Sequence, residues 1–210
     1  MKFLNFDRVL CLSPHPDDAE YSVAGTILKY TDTVFDVLCL TEGGDCDVTT
    51  SKSRHNEVLD SWKCSNVNNH NLYFSNAKFL SDKKMDQWVD YIEKSYTNVN
   101  KYDCIMVPSE LDSHHEHVFV SYLAASLSRV KPYSIIQYKS PSTLDTWVPN
   151  LFVSIDDVYE TKKEMLTYFK SQNDKIYFQT KVLDGYHINY QCMKKGKGFV
   201  ESYKIITSYE

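Results

Sequence analysis

The sequence contains no apolar run that approaches the roughly 20 residues a helix needs to span a bilayer. Its six cysteines include no C-x-x-C pair, and several of them lie in apolar, strand-like segments where a free thiol packs as a small hydrophobe. The first seven residues lead directly into an apolar segment and contain no apolar core of a signal peptide. We therefore expect reduced thiols, no membrane span and a cytoplasmic location.

A net positive charge, internal repeats and flexible linkers are also absent from the sequence. The formal net charge is −5, so the composition gives no reason to expect a nucleic-acid partner. The 210 residues contain no internal repeat, low-complexity tract or Gly/Ser-rich linker, and this length is enough for one sizeable core. The sequence thus predicts a single domain over residues 1–210. It is also compatible with a homo-oligomer of this domain.

Apolar runs of strand length alternate with segments of helical periodicity. The predicted strands are 8–12, 34–40, 72–74, 104–107, 134–138 and 151–155. The predicted helices are 21–30, 52–62, 84–95, 118–128 and 158–169. This alternation indicates an α/β fold: a Rossmann-like, mostly parallel sheet with helices on both faces.

A rigid polar loop follows the first predicted strand. It reads Ser13-Pro14-His15-Pro16-Asp17-Asp18 and brings one imidazole next to two carboxylates. Each proline fixes its own φ and restricts the residue before it. Because functional loops of open α/β sheets lie at the carboxyl ends of strands, the loop is a candidate half of a metal site. The alternative is an ordinary helix entry in which Asp18 caps the following helix.

A second polar segment follows the strand at 104–107 and contains His114-His115-Glu116-His117, three of the seven histidines. Imidazole and carboxylate suit a borderline divalent ion such as zinc or iron, and two His with one Asp leave a coordination position open for catalysis. The alternative is a solvated loop. The metal interpretation requires the two strands that precede these loops to be close neighbours in the sheet.

These segments resemble motifs of the PIG-L/LmbE-type zinc-dependent N-deacetylases. Residues 14–18 look like the family's (A/P)HPDD motif, and residues 114–117 look like its HPDH motif. Arg54 and Glu57 are similar to its R-x-x-E pair, residues 169–172 to a Lys/Ser-Gln signature, and residues 199–203 to a terminal (Y/F)-x-E-x-(F/Y) strand. The resemblance runs in order from about residue 8 to residue 206.

The resemblance implies a role for each matching position. His15, Asp18 and His117 match the ligands of Zn²⁺, for which Fe²⁺ or another divalent ion is an alternative. Asp17 matches the general base, and His114 matches the residue that stabilises the oxyanion or protonates the leaving amine.

Three further positions carry expectations about the site. Arg54 matches a substrate-contacting arginine, with an i, i+3 surface pair to Glu57 as the alternative. His115 and Glu116 depart from the usual Pro and Asp of the second motif. Glu116 is nevertheless placed to orient a neighbouring imidazole.

The function that follows is that of a metal-dependent amidohydrolase, which removes an N-acetyl group from a small-molecule 2-acetamido sugar or sugar conjugate. One alternative is a non-catalytic carbohydrate-binding protein with a relic metal site. Another is a different metalloenzyme with two His and one carboxylate, such as a non-haem Fe(II) oxygenase. A nucleotide-binding domain is disfavoured because no G-x-G-x-x-G turn follows the first strand. His55, His70 and His187 are interpreted as surface residues, and Glu201 as an ordinary edge-strand carboxylate.

Overall fold

The centre of the fold is a sheet of seven strands in the order β3-β2-β1-β4-β5-β7-β6. The computed structural model describes residues 1–43, 51–75, 77–129 and 131–209. The strands are β1 Arg8–Ser13, β2 Val34–Cys39, β3 His70–Phe74, β4 Cys104–Pro108, β5 Ser134–Tyr138, β6 Leu151–Ser154 and β7 Val200–Thr207. Strands β1 to β5 pair in parallel, whereas β7 pairs antiparallel with both β5 and β6.

Helices cover both faces of the sheet because the central strands are apolar on both sides. In β1, Val9 and Cys11 pack into one buried cluster, and Leu10 and Leu12 pack into the other. The helices are α1 Asp18–Ser22, α2 Ala24–Lys29, α3 Ser51–Lys63, α4 Met85–Ile92, α5 His115–Leu127, α6 Tyr159–Leu166 and α7 Thr180–His187. Buried residues of α4 and α5 lie in the second cluster, and those of α1, α2, α3, α6 and α7 lie in the first. The predicted fold class is confirmed.

The order of the strands reverses between β1 and β4. From β1 the chain continues outward to β2 and β3, and from β4 it continues outward in the other direction to β5. In open α/β sheets the crevice at such a switch point, beyond the carboxyl ends of the strands, is where ligands bind. The two polar loops of the sequence follow β1 and β4, so the neighbourhood that the metal interpretation requires is present.

Several element boundaries differ from the prediction. The helix expected at 118–128 begins at His115, so the histidine cluster forms its first turn. The helix expected at 21–30 is two helices that meet at Val23. The helix expected at 84–95 ends at Ile92 and continues as a π-helical turn over Glu93–Thr97.

Glu201 explains the break between α1 and α2. Its buried carboxylate accepts hydrogen bonds from the backbone N–H groups of Gly25 and Thr26, each at 2.7 Å. It thereby satisfies unpaired donors at the start of α2. A Cβ on Gly25 would lie 2.8 Å from Cγ2 of Ile155 and 2.9 Å from Oε1 of Glu201, so only glycine permits this approach.

The same carboxylate forms a fully buried ion pair. Lys162 Nζ lies 2.5 Å from Glu201 Oε1, and neither side chain is exposed. The hydroxyl of Tyr203 and that of Thr26 donate to Oε2 at 2.8 and 2.6 Å. Glu201 therefore joins β7, α2 and α6, and its interpretation as an ordinary edge-strand carboxylate is wrong.

The part of the chain that the structure describes contains no helix that is long and apolar enough to cross a bilayer. Its five cysteines, Cys11, Cys39, Cys64, Cys104 and Cys192, have free thiols.

We predict that Glu201→Gln lowers the free energy of unfolding by about 3–5 kcal/mol, the usual cost of breaking a buried ion pair. Every neighbour of the carboxylate donates a hydrogen bond, so an amide NH₂ group would face other donors. Urea denaturation of wild type and variant measures the difference.

The control for this prediction is Lys204→Met. Lys204 pairs with Glu110 at 3.0 Å, but both side chains are about one-third exposed. The loss there is expected to stay below about 1 kcal/mol. Equal losses in the two variants would contradict the role assigned to Glu201.

Candidate metal centre and active-site pocket

Hydrogen bonds fix the loop between β1 and α1. Ser13 Oγ donates to the His15 carbonyl at 2.8 Å and accepts from the Ala19 N–H at 3.2 Å. Asp18 Oδ2 accepts from the His15 N–H at 2.9 Å. Asp18 is the first residue of α1, and the N-cap residue, Asp17, makes no side-chain capping bond. The loop is therefore more than the Asp18-capped helix entry that the sequence left open.

Asp17 has a strained backbone. Its φ is +142°, in a region that non-glycine residues rarely adopt and that costs about 1–3 kcal/mol. Because its carboxylate does not cap α1, it is free to face the crevice, and Asp17 lines the pocket there. Such strain persists when the surrounding structure requires that residue in that position.

The second loop places its histidines in different environments. His114 is the N-cap of α5, and its Nδ1 accepts from the backbone N–H of Glu116 at 3.3 Å. His117, one turn further, is buried with a relative exposure of 4%. His115 is exposed. The solvated-loop interpretation therefore fits His115 but not His117.

The structure brings the three predicted ligands together. His15 Nδ1 lies 3.0 Å from Asp18 Oδ2, and His117 Nε2 lies 3.3 Å from Asp18 Oδ1. One donor atom from each of the three residues lies within 4.8 Å of the other two. Two imidazole nitrogens and one carboxylate oxygen form a donor set that suits a catalytic zinc or a similar divalent ion.

The second nitrogen of each imidazole faces another carboxylate. His15 Nε2 lies 2.6 Å from Glu116 Oε2, and His117 Nδ1 lies 3.1 Å from Asp112 Oδ2. Metal-binding histidines almost always have such a partner, which fixes the ring and its tautomer. Glu116 thus contacts the imidazole of His15 rather than one of the imidazoles that flank it in sequence, which the sequence had led us to expect. Its Oε1 also accepts from the Leu80 N–H at 3.1 Å.

A second group of donors, His15, His114 and Glu116, also meets within 4.8 Å. It shares His15 with the first group, and a neutral imidazole offers only one lone pair for coordination. Asp18 and His117 in the first group are buried, whereas the second group is more exposed. The buried group is the better candidate because it already fixes its donors in place.

The carboxylates of the buried group favour positive charge on its imidazoles. Burial alone would lower the pKa of His15, but Asp18 and Glu116 outweigh it and raise the pKa to about 9. Burial acts likewise on His117, where Asp18 and Asp112 raise the pKa to about 10. Asp18 has a pKa well below its usual value, because the two imidazoles outweigh the effect of burial.

Asp17 and His114 behave differently from the three candidate ligands. Burial raises the pKa of Asp17 to about 7, although the charge of Arg54 acts in the opposite direction. Burial, followed by the charges of His15 and His117, lowers the pKa of His114. A neutral His114 that accepts at Nδ1 carries its proton on Nε2.

Arg54 is buried and contacts the first loop. Its guanidinium donates to the carbonyls of Gly43 and Pro16 at 2.7 and 2.9 Å and lies 3.4 Å from Asp17 Oδ2. Gly43 has φ +68°, and a Cβ there would collide with the guanidinium. Arg54 does not pair with Glu57, which accepts from the N–H and hydroxyl of Ser171. The surface-pair alternative is therefore wrong.

A cavity of about 940 Å³ opens over these groups. His15, Asp17, Asp18, Arg54, His114 and His117 all line it, and its walls also contain the aromatic side chains Tyr21, Phe79, Phe119, Tyr177 and Phe178. No sequence signal marked these aromatic residues. Ser140 and Ser142 follow β5, and Ser142 also lines the cavity. Polar residues directly after a predicted strand were the signal that identified the two motif loops. The same signal would have identified Ser142.

The other three histidines do not belong to the site. His187 is buried, with Nδ1 2.9 Å from the Val200 carbonyl. His70 stacks on Trp62 and His55 on Phe74, with ring centroids 4.3 and 4.2 Å apart. The expected surface position is wrong for His187, because a backbone carbonyl on β7 gives its ring a buried partner. His55 and His70 are half-buried against aromatic rings.

Comparisons with known proteins give relatives along nearly the whole chain. A diacetylchitobiose deacetylase of Thermococcus kodakarensis is 28% identical over 196 residues, which cover 81% of this chain and 72% of the relative. The N,N'-diacetylchitobiose deacetylase of Pyrococcus horikoshii, solved with an inhibitor, superimposes with a TM-score of 0.76 at 20% identity, covering 97% of this chain and 85% of that one.

The fold is also shared by a protein with another described activity. The 4-carboxy-2-hydroxymuconate hydratase GalB of Pseudomonas putida has a TM-score of 0.77 at 15% identity, covering 100% of this chain and 98% of that one. The fold alone therefore does not select the reaction.

A family assignment rests on the sequence itself. Residues 10–128, more than half of the chain, match the family described as PIG-L: GlcNAc-PI de-N-acetylase. The match includes both polar loops and Arg54. The chain belongs to the PIG-L family.

Proposed function

We propose that this protein is a metal-dependent amidohydrolase that removes the acetyl group from a 2-acetamido sugar or sugar conjugate. The observation that carries the proposal is the His15–Asp18–His117 donor set at the β1/β4 switch point, with Asp17 beside it. The family match and the 28% identical deacetylase support amide hydrolysis over the hydration of a carbon–carbon double bond.

The three donors fit a divalent ion, and we assign His15, Asp18 and His117 as its ligands. When bound, such an ion supplies Lewis acidity and lowers the pKa of water from about 15.7 to about 7. Zinc is the first choice because two imidazoles and one carboxylate are typical zinc ligands, and Fe²⁺ has similar preferences.

Asp17 is the proposed general base. It is adjacent to Asp18 in sequence, yet its carboxylate faces the pocket with Arg54 as its nearest cation. A base works best when its pKa lies near the working pH, and burial raises the pKa of Asp17 to about 7. It takes the proton of the attacking water as the C–O bond to the acyl carbon forms, and it returns that proton to the amine nitrogen when the C–N bond breaks.

His114 is the proposed donor to the developing oxyanion. Because its Nδ1 accepts from the Glu116 N–H, the neutral ring presents an Nε2–H group. His114 lines the pocket, with its ring centroid 4.8 Å from those of both His15 and His117. A donor of this kind lowers the activation barrier because it stabilises negative charge that develops on the carbonyl oxygen only in the transition state. Of the two roles that the resemblance implies, the lowered pKa of His114 favours this one over proton delivery by a cationic imidazole.

Arg54 is the proposed substrate-binding residue. Its Nε is buried and has no hydrogen-bond partner within the part of the chain that the structure describes. A buried unsatisfied donor is costly, and a substrate oxygen would satisfy it. The two terminal nitrogens donate to the Gly43 and Pro16 carbonyls. Arg54 would therefore contact the substrate and also hold the first loop in its conformation.

The proposal is tested by acetate release from a panel of N-acetyl sugars and conjugates, assayed before and after chelation and metal replacement. We expect release that is lost with the metal and restored by Zn²⁺ or Fe²⁺. Sugar binding without acetate release would favour a binding protein with a relic site. Turnover that requires dioxygen would favour an oxygenase, and water addition to an unsaturated acid would favour a hydratase.

We predict that the protein binds one divalent ion per chain and that Asp18→Ala and His117→Ala each abolish binding. Each variant removes one of the three proposed ligands, and we expect the remaining two to bind the ion too weakly to retain it. Metal analysis after dialysis measures the stoichiometry. His115→Ala removes an exposed imidazole from the same segment and should retain one ion per chain; loss of the ion in that control would contradict the ligand assignment.

We also predict that Asp17→Asn lowers kcat by about 10²-fold or more while metal content stays at one ion per chain. The amide has the same size but cannot accept the proton from water. Steady-state kinetics together with metal analysis separates this loss from the metal loss of Asp18→Ala. Near-normal turnover in Asp17→Asn would place the base elsewhere, with Glu116 as the next candidate.

A further inference from the structure

We propose that Asp112 is a positioning residue that selects the nitrogen through which His117 binds the metal. The inference rests on the proposed metal site. The Asp112 carboxylate is buried, with no side-chain exposure, and its Oδ2 lies 3.1 Å from His117 Nδ1. The carboxylate lies on the Nδ1 side of the His117 imidazole, away from the side on which Nε2 approaches Asp18.

Asp112 is surrounded by donors. Ser140 Oγ donates to Oδ2 at 2.5 Å and Thr143 Oγ1 at 3.3 Å, while the backbone N–H of His114 donates to Oδ1 at 2.8 Å. An ionised carboxylate can only accept. The hydrogen bond to His117 therefore requires a proton on Nδ1.

The position of that proton decides which atom can bind a metal. With Nδ1 protonated, the lone pair of a neutral imidazole lies on Nε2. Nε2 is the nitrogen that lies 3.3 Å from Asp18 Oδ1, on the side where His15 also approaches. Asp112 thus keeps the lone pair of His117 directed at the metal position.

The backbone of the loop has anchors besides the hydrogen bond from the His114 N–H to Asp112. Main-chain hydrogen bonds join it to the segment after β5, from Ser113 N to Ser142 O at 3.0 Å and from Leu144 N to Leu111 O at 2.9 Å. Asp112 and Thr143 also form an isolated antiparallel bridge. We therefore expect Asp112→Asn to leave the overall path of the loop in place, while it changes the contacts of residue 112 with the His117 ring and with the His114 N–H.

Asp112→Asn is the informative variant, because the amide has one acceptor and one donor group. If its oxygen faces His117, its NH₂ group meets the N–H of His114. If it is flipped, the NH₂ group donates to Nδ1, which moves the proton to Nε2 and removes the metal-binding lone pair. Both orientations weaken metal binding.

The test compares the Kd for Co²⁺ and Zn²⁺, from competition with a chromophoric chelator, in wild type, Asp112→Asn and Asp36→Asn. Visible absorption of the Co²⁺ protein reports the coordination geometry, and urea unfolding of the metal-free protein reports stability. Asp36 is a matched control because its carboxylate is also fully buried and accepts from Arg8, Asn71 and Tyr102 outside the pocket.

We expect Asp112→Asn to raise the Kd by about 10–100-fold and to alter the Co²⁺ spectrum. Asp36→Asn should unfold at a lower urea concentration, with a wild-type Kd and spectrum. Ser140→Ala removes one donor to Asp112 and a hydroxyl that lies 3.3 Å from His117 Nδ1, but it keeps the carboxylate. It should raise the Kd by a smaller factor and provides the readout if Asp112→Asn does not fold.

The outcomes separate this inference from the proposed function. A wild-type protein that binds no metal would overturn the metal site and the role of Asp112 with it. A wild type that binds one ion tightly, together with an unchanged Kd and spectrum in Asp112→Asn and Ser140→Ala, would overturn the role of Asp112 alone.

Discussion

Parallel pairing of β1 with β4 is the constraint on which the site depends. The pairing sets Val9 opposite Cys104 and Cys11 opposite Met106, so both strands end at the same edge of the sheet. Their loops therefore meet, although the proposed metal ligands that they carry lie far apart in sequence. The two strands are buried on both faces, which fixes their register and limits the freedom of the loops. The position of the imidazoles and carboxylates thus follows from the packing of apolar side chains beneath them.

The charge balance at this edge explains why so many acidic groups are tolerated in a buried place. Asp18, Asp112 and Glu116 each contact an imidazole, and Asp17 faces Arg54. Without a metal, raised pKa values on His15 and His117 show that protons compensate these carboxylates. In the proposed metal site a divalent ion would replace those protons, which would link metal binding to proton release. Asp17 differs from these three carboxylates, because burial raises its pKa to about 7.

The sequence predicted the central strands and both motif loops, because apolar runs and strand ends are local signals. It did not predict the break at Val23, which depends on Glu201 at the other end of the chain, or the buried state of His187, which depends on a β7 carbonyl. It also placed the start of α5 after the histidines rather than at them, because the capping bond at His114 uses an imidazole rather than a usual capping side chain. Arg54 was matched through a motif, but only the tertiary structure distinguishes a buried guanidinium from a surface pair. The aromatic walls of the pocket come from distant segments with no common pattern.

The most direct test of the central claim is anomalous diffraction at the zinc edge from crystals of the metal-loaded protein. The two donor groups share His15 but use opposite nitrogens, so the position of the ion distinguishes them. We predict one anomalous peak about 2.0–2.2 Å from His15 Nδ1, an oxygen of Asp18 and His117 Nε2. A peak at His15 Nε2 between His114 and Glu116, with none at Asp18 and His117, would contradict the account.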